Sequence, residues 1–99
     1  MRYASRRILV KNVDGFNLHA AVLLCEHARL FPCALRITCE SRAADAKNIW
    51  ELLGLRAEFG SELLLEAQGP QSRQALDRLE NLVIKQFQVS GKELYYESV

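Results

Sequence analysis

Residues 34 to 40 read ALRITCE, and this stretch decides the architecture of the chain. Apolar and polar side chains alternate along it, with Leu35, Ile37 and Cys39 on one side and Arg36, Thr38 and Glu40 on the other. A period of two is the pattern of a β-strand that buries one face and leaves the other in water. We therefore expect a sheet with one covered face, and the covering layer has to come from the rest of the chain.

Three further strands are predicted around this one. The segment RRILVK, from Arg6 to Lys11, is short and apolar, and the segment SELLLEA, from Ser61 to Ala67, is a nearly continuous leucine run. A weaker strand is predicted from Arg42 to Ala46, where alanines replace the usual β formers. The turn-forming cluster Asn12 to Gly15 separates the first strand from the first helix.

The first helix is predicted to begin at Leu18 and to run to Phe31, because Pro32 ends the pattern. Asn17 stands directly before it and is a good N-cap, since its side-chain oxygen accepts a hydrogen bond from an otherwise unpaired backbone N–H. The apolar positions repeat at intervals of three and four residues: Leu18, Ala21, Val22, Cys25 and Ala28.

Two more helices complete the pattern. Asn48 is again an N-cap residue, ahead of a short helix over 49–53 that Gly54 would end. From Ser72 an amphipathic pattern continues to about Phe87. The order β-α-β-β-α-β-α indicates an α/β (α+β) open-faced β-sandwich, with a four-stranded, mainly antiparallel sheet and three helices on one face.

The chain divides into a domain over 1–87 and a C-terminal tail over 88–99. The tail does not continue the pattern of the domain, and two alternatives stay open for it, docked or disordered. In the docked alternative, Leu94, Tyr95 and Tyr96 pack as an added strand.

Composition excludes several classes of function. The chain of 99 residues carries 13 Lys and Arg against 12 Asp and Glu, so it lacks the basic surplus of a nucleic-acid binder. No apolar run approaches the roughly 18 residues that membrane insertion requires. The odd number of cysteines, three, with no secretory leader pattern favours the reducing cytoplasm. No cofactor, metal or independent enzymatic motif is indicated.

A set of motifs in this order resembles the HPr family, the small histidine-containing phosphocarriers of the bacterial phosphotransferase system. The resemblance covers about residues 6 to 87 and implies the fold that the periodicity predicts. It rests on Gly15 before a helix start, Ala21, Leu24 and Phe31 within that helix, Ala46-Lys47-Asn48-Ile49, Gly60-Ser61-Glu62 and Ala67-Gln68-Gly69.

The resemblance places Asn17 where the family carries its phosphorylatable histidine. An amide nitrogen has its lone pair delocalised into the carbonyl group and cannot attack phosphorus as a histidine nitrogen does. The family arginine that holds the phosphoryl oxygens is replaced by His19, and the family proline by Ala20. The family's regulatory serine is replaced by Asn48, which can cap a helix but has no hydroxyl to phosphorylate.

These replacements predict a protein that has lost phosphocarrier chemistry and acts as a regulatory protein-binding module. Its partners would be enzyme I or other phosphotransferase-system or regulatory proteins. In the family an apolar patch meets such partners, and the corresponding residues here are Phe16, Asn17, His19, Ala20, Ile49, Trp50 and Leu53. An exposed Trp50 would be a binding hot spot. The alternative for Trp50 is that it folds onto the core or beneath the tail.

A second function remains open, in which His19 accepts the phosphoryl group from enzyme I. Its position in the first helical turn favours a bound phosphate. Aligning His19 onto the family histidine, however, requires a two-residue shift, which turns every later helical side chain by about 200°. A third possibility is that the fold serves an unrelated role.

Overall fold

A computed structural model describes residues 2–85 and 87 of the chain. Its elements follow the predicted order. They are β1 (Tyr3–Leu9), α1 (Leu18–Ala28), β2 (Ala34–Cys39), β3 (Arg42–Asp45), α2 (Ile49–Gly54), β4 (Glu62–Gln68) and α3 (Ser72–Ile84). The tail over 88–99, with its two alternatives, lies outside the described residues.

The four strands form one sheet in the order β1-β4-β2-β3, and all three pairings are antiparallel. Strand β4 lies between β1 and β2, with Leu65 opposite Arg6 on one side and Ile37 on the other. The sheet is therefore antiparallel throughout, which is stricter than the prediction of a mainly antiparallel sheet.

One face of the sheet carries the core, and the three helices cover it. Alternate residues of β2 and β4 are buried on that face, as the period-two pattern of residues 34–40 predicts. Each helix adds at least one fully buried leucine: Leu24 from α1, Leu52 from α2, and Leu76 and Leu79 from α3. The open-faced sandwich is confirmed.

Strand β3 shows why alanine can replace a β-branched residue. Ala44 and Ala46 are both buried, and α2 packs against this strand. A small side chain lets the short helix approach the edge of the sheet closely. The predicted weak strand is thus present, and its alanines have a packing role.

Several boundaries differ from the sequence prediction by one to three residues, and three of the differences are explained by the contacts around them. Strand β1 begins at Tyr3, because its register with β4 continues to the pair Tyr3 and Gln68. Helix α1 ends at Ala28, and the next three residues form turns in which the amides of Leu30 and Phe31 bond three residues back. Helix α3 ends at Ile84, and Phe87 adopts a left-handed conformation with φ of 60°.

A side-chain ion pair joins α3 to β1. Arg6 donates hydrogen bonds from its Nη1 to the carboxylate of Asp77 and to Oε1 of Glu80, the latter at 2.9 Å. The hydrogen bond with Asp77 raises the pKa of Arg6 above its ordinary value. The pair fixes the helix over the edge strand.

The three cysteines are buried and carry free thiols, as expected of small core residues.

Within the described residues, no helix is long and apolar enough to cross a membrane.

A close backbone approach fixes the connection between β1 and α1. Gly15 has φ of +66°, and a Cβ atom there would lie 2.5 Å from the carbonyl oxygen of Ala57. The next residue, Phe16, donates its amide to that same oxygen at 2.9 Å. The start of α1 is therefore tied to the segment after α2.

We predict that Gly15→Ala lowers the free energy of unfolding by at least about 2 kcal/mol, since it adds left-handed strain to a backbone collision. The matched control is Gly54→Ala, at a helical position with no atom within 4 Å of the new methyl group. That change should stabilise the protein by about 0.5 to 1 kcal/mol. Urea denaturation of both variants checks the pair, and equal effects would contradict the role given to Gly15.

Candidate functional site

The site predicted from the sequence lies at the N-terminal end of α1. Asn17 is the N-cap, and its Oδ1 accepts a hydrogen bond from the amide of Ala20 at 2.9 Å. Its backbone carbonyl accepts from the amide of Ala21 at 3.0 Å. The capping role predicted for Asn17 is confirmed, and the amide oxygen is occupied by the helix.

Two residues of the predicted partner surface are not on the surface. Ala20 is fully buried, and Phe16 retains only 8% of its exposure. The Phe16 ring meets the ring of Phe87 edge to face, with centroids 5.5 Å apart. The prediction that these two side chains face a partner is corrected: they support the start of α1 from beneath, because the turn at Gly15 directs Phe16 inward.

His19 lies on the exposed side of the first turn of α1. Its Nε2 is 3.0 Å from the carbonyl oxygen of Phe87. A carbonyl oxygen can only accept, so Nε2 carries the proton in this contact and, in the neutral ring, Nδ1 keeps the lone pair. The contact links α1 to the segment after α3, and no local sequence pattern signals it because 68 positions separate the partners.

Asn48 caps α2 in the way that Asn17 caps α1. Its Oδ1 accepts from the amide of Glu51 at 3.1 Å, while its Nδ2 donates to Oε2 of Glu51 at 3.3 Å. The other carboxylate oxygen of Glu51 accepts from the amide of Asp45 at 2.9 Å. The helix therefore begins in a capping arrangement with a carboxylate beside the cap residue.

Side chains from the end of α1 and from the residue after it bond to the backbone just before α2. The carbonyl oxygen of Lys47 accepts from Sγ of Cys25 at 3.3 Å and from the guanidinium of Arg29 at 3.1 Å. At the opposite end, Phe16 bonds to Ala57, which lies just beyond α2. The two helices therefore run in opposite directions, and the end of α2 points toward the start of α1.

Trp50 is the most exposed aromatic side chain among the described residues, at 80%. Ile49 and Leu53 are half-buried beside it and pack partly against the core. The alternative in which Trp50 folds onto the core is wrong, because α2 turns Leu52 inward instead. Whether the tail covers Trp50 lies outside the described residues.

Sequence reasoning missed three exposed apolar residues at the same end of the molecule. They are Leu18 at the start of α1, Val13 in the loop before it, and Phe59 in the loop after α2. The two loops are joined through the bonds of Phe16 to Ala57 and of Gly60 to Val10. The helical spacing predicts an apolar face that includes Leu18, but spacing alone does not show that Leu18 is 61% exposed.

Comparison with known proteins gives consistent findings. A family model for the phosphorylation site of the HPr component of the phosphotransferase system matches residues 4–85. The phosphocarrier protein HPr of Cupriavidus necator is 30% identical over 82 residues, which are 83% of this chain and 92% of that protein. The HPr-like protein Crh of Bacillus subtilis is 27% identical over 74 residues, which are 75% of this chain and 87% of that protein.

The fold is also shared with solved structures. The crystal structure of HPr-C-His from Thermoanaerobacter tengcongensis superposes with a TM-score of 0.82 at 23% identity, over 88% of this chain and 98% of that chain. The sheet order, the helix layer and the family match over residues 4–85 lead to one conclusion. The chain belongs to the HPr family of the phosphotransferase system.

Proposed function

We propose that this chain is a cytoplasmic regulatory member of the HPr family that binds protein partners and does not carry a phosphoryl group on Asn17. The observation that carries the proposal is a hydrogen bond of the Asn17 side chain, whose amide oxygen accepts the Ala20 N–H at the start of α1. Partners are expected among enzyme I and other proteins of the phosphotransferase system and its regulation.

The chemistry of Asn17 supports this proposal. A phosphoryl acceptor needs a nitrogen lone pair directed at phosphorus, and the amide lone pair is delocalised into the carbonyl group. The capping bond also holds the side chain over the helix terminus. Asn17 therefore keeps the structural task of an N-cap and cannot perform the transfer.

The exposure of Trp50 supports partner binding. Trp50 is 80% exposed among the described residues and offers a large apolar surface, and tryptophans of this kind concentrate the energy of protein interfaces. Ile49 and Leu53 extend the surface on the same short helix, and the bonds of Arg29 and Cys25 to Lys47 hold that helix in place. We call Ile49, Trp50 and Leu53 the α2 patch.

The arrangement around Asn48 supports the loss of the family's second modification. The position keeps its capping bonds with Glu51 but offers no hydroxyl group. The carboxylate of Glu51 also lies beside it, with Oε2 3.3 Å from Nδ2 of Asn48, and it would repel a phosphate placed there. Control by phosphorylation at this position is therefore absent in our proposal.

One observation favours a second candidate, transfer through His19. The Nε2 of His19 is engaged by the Phe87 carbonyl, so the lone pair of the neutral ring is on Nδ1. A nitrogen in the first helical turn also lies close to backbone N–H groups that favour a phosphate. This candidate differs from the first only in its chemistry, because the fold and the α2 patch serve both.

Phosphoryl transfer separates the two candidates. We expect the mass of the intact chain to stay unchanged after incubation with phosphoenolpyruvate and the source organism's enzyme I, analysed under alkaline conditions that preserve phosphohistidine. A phosphorylated HPr in the same tube is the control. A gain of one phosphoryl group that disappears in His19→Ala would overturn the first candidate and establish the second.

Partner binding should depend on the α2 patch. We predict that Trp50→Ala weakens binding of a partner recovered from the source organism by at least about tenfold, as expected for a hot spot. The control is Tyr3→Ala, which removes an aromatic ring that is 59% exposed and lies on the sheet. Calorimetric titration measures both, and equal losses would argue against the patch.

The capping role of Asn48 is testable through stability. We predict that Asn48→Ala costs about 1 kcal/mol of unfolding free energy, because the Glu51 amide loses its acceptor. Asn48→Ser keeps an acceptor oxygen and should stay within about 0.5 kcal/mol of the parent. Urea denaturation compares the two variants. If the serine variant loses as much as the alanine variant, capping does not explain this position.

A further inference from the structure

Strand β1 is one edge of the sheet in the part of the chain that the structure describes. Its seven residues pair with β4 on one side, and no described strand lies on the other. Just outside the strand, the carbonyl of Arg2 and the amide of Val10 both bond to residues that flank β4. Because these directions alternate along an antiparallel strand, residues 3, 5, 7 and 9 direct their N–H and C=O groups to the other side. Such groups can accept a further strand.

The exposed apolar side chains of the sheet lie at the two ends of this edge strand. Among the described strand residues, the exposed large apolar side chains are Tyr3, at 59%, and Leu9, at 50%. Each stands three positions from Arg6, the middle residue of β1, and both point to the face that the helices do not cover. A two-fold axis through the middle residue makes this arrangement self-complementary, because it brings one end of the strand to the other.

We propose that two copies of this chain pair along the β1 edge as antiparallel neighbours, related by a two-fold axis at Arg6. In this register Tyr3 lies opposite Leu9 of the second copy, and Ser5 opposite Arg7. All seven residues of both strands take part, and every N–H and C=O group that points away from β4 is bonded. The two four-stranded sheets become one continuous sheet.

Charge complementarity on the open face supports a second copy as the occupant. The Arg7 side chain is 66% exposed, and its contact with Glu62 is long, at 3.4 Å. The register puts Arg7 beside Ser5 of the second copy, which is followed by Glu66 on the next strand. Because serine is short, the guanidinium can reach across it to the Glu66 carboxylate. The hydroxyl of Tyr3 donates to Oε2 of Glu66 at 2.7 Å and keeps that carboxylate on this face.

The face that the helices cover fits the same axis. Ala4 is half-buried against the core, Ile8 retains 9% exposure, and the register places each opposite the other across the axis. Arg6 meets its own equivalent there. Each Arg6 bonds to two carboxylates, those of Asp77 and Glu80, so acidic groups outnumber arginines around the axis. The two arginines are therefore held among carboxylates, which offsets their repulsion.

Neighbouring two-fold registers fit less well. An axis at Ser5 leaves Leu9 beyond the end of the partner strand. An axis at Arg7 sets that exposed arginine directly opposite its own equivalent, and like charges in that position are destabilising. The register centred on Arg6 is thus the one that joins the apolar ends and separates the exposed arginines by a serine.

The paired form keeps the proposed interaction surface accessible. Open face meets open face along the strands, so both helix layers lie on the same side of the joined sheet. Helix α2 packs against β3, the strand at the far edge. The two α2 patches therefore lie at opposite ends of the dimer, where each can bind a partner. The pairing goes beyond the proposed function, because it involves neither Asn17 nor the α2 patch.

Sedimentation of the full chain tests the proposal. We expect a reversible dimer between about 10 μM and 1 mM, and Ser5→Pro should weaken its association at least about tenfold. The proline removes an N–H that points away from β4, so the pairing within the sheet is kept. The matched control is Ala43→Pro on the other edge strand. Since the amide of Ala46 bonds to Leu35 of β2, the Ala43 amide points outward, and its loss should leave the dimer unchanged.

Cross-linking tests the register independently. Arg6→Cys places two thiols on the axis at a pair without hydrogen bonds, where Cα atoms about 4.5 Å apart permit a disulfide. We expect mild oxidation with copper phenanthroline to convert most of this variant to a covalent dimer. Ala4→Cys, whose thiol faces Ile8 of the second copy, should give at least about tenfold less. The three native cysteines are buried and present in both variants.

Three results would overturn the proposal. They are a chain that stays monomeric up to about 1 mM, a dimer that Ser5→Pro leaves unchanged, and equal cross-linking of the two cysteine variants. Slow hydrogen exchange of the Ser5 and Arg7 amides in a monomer would overturn it as well, by assigning the edge to another segment of the same chain. None of these results bears on the proposed function, which phosphoryl transfer and the Trp50→Ala titration test separately.

Discussion

The structure depends on the insertion of β4 between β1 and β2. Its leucines at 63 and 65 are fully buried on the covered face, and its two edges hold the neighbouring strands in register. Since β4 is the last of the four described strands in the sequence, neither β1 nor β2 gains that partner until residues 62–68 are in place. The sheet therefore depends on contacts between residues that are far apart in the sequence. The helices pack on a sheet whose central strand, β4, comes last of the four described strands along the chain.

Patterns within a few residues could be predicted, and relations between distant residues could not. Alternation showed which face of residues 34–40 is covered, and asparagine before an apolar run marked the start of each of the first two helices. The order of the strands depends on pairings between distant residues, such as that of Tyr3 with Gln68, which no local signal encodes. The predicted start of β1 and the predicted end of α3 were wrong because both depend on contacts outside the local pattern. The register with β4 extends β1 back to Tyr3, and the turn at Phe87 lies beyond the helix end.

The candidate site shows the same division. The residue types at 17, 19 and 48 indicated the chemistry that each could perform, because the carboxamides of Asn17 and Asn48 and the imidazole of His19 differ in reactivity. Burial of Phe16 and Ala20 could not be inferred, since it depends on the turn at Gly15 and on the ring of Phe87 across the domain. The exposure of Trp50 was an open alternative, because a short helix can turn either Trp50 or Leu52 inward and the packing beneath α2 decides between them.

Asn17 and Asn48 preserve the starts of the first two helices of this fold. The first turn of a helix needs an acceptor for its unpaired N–H groups, and an amide oxygen meets that need as well as a serine hydroxyl. Asn17 and Asn48 each make that bond, so neither helix loses its start. A carboxamide has neither a free nitrogen lone pair nor a hydroxyl group, so in our proposed function both positions keep their structural task and take no part in group transfer. Among the described residues, α2 still exposes an apolar surface around Trp50 that a partner could contact.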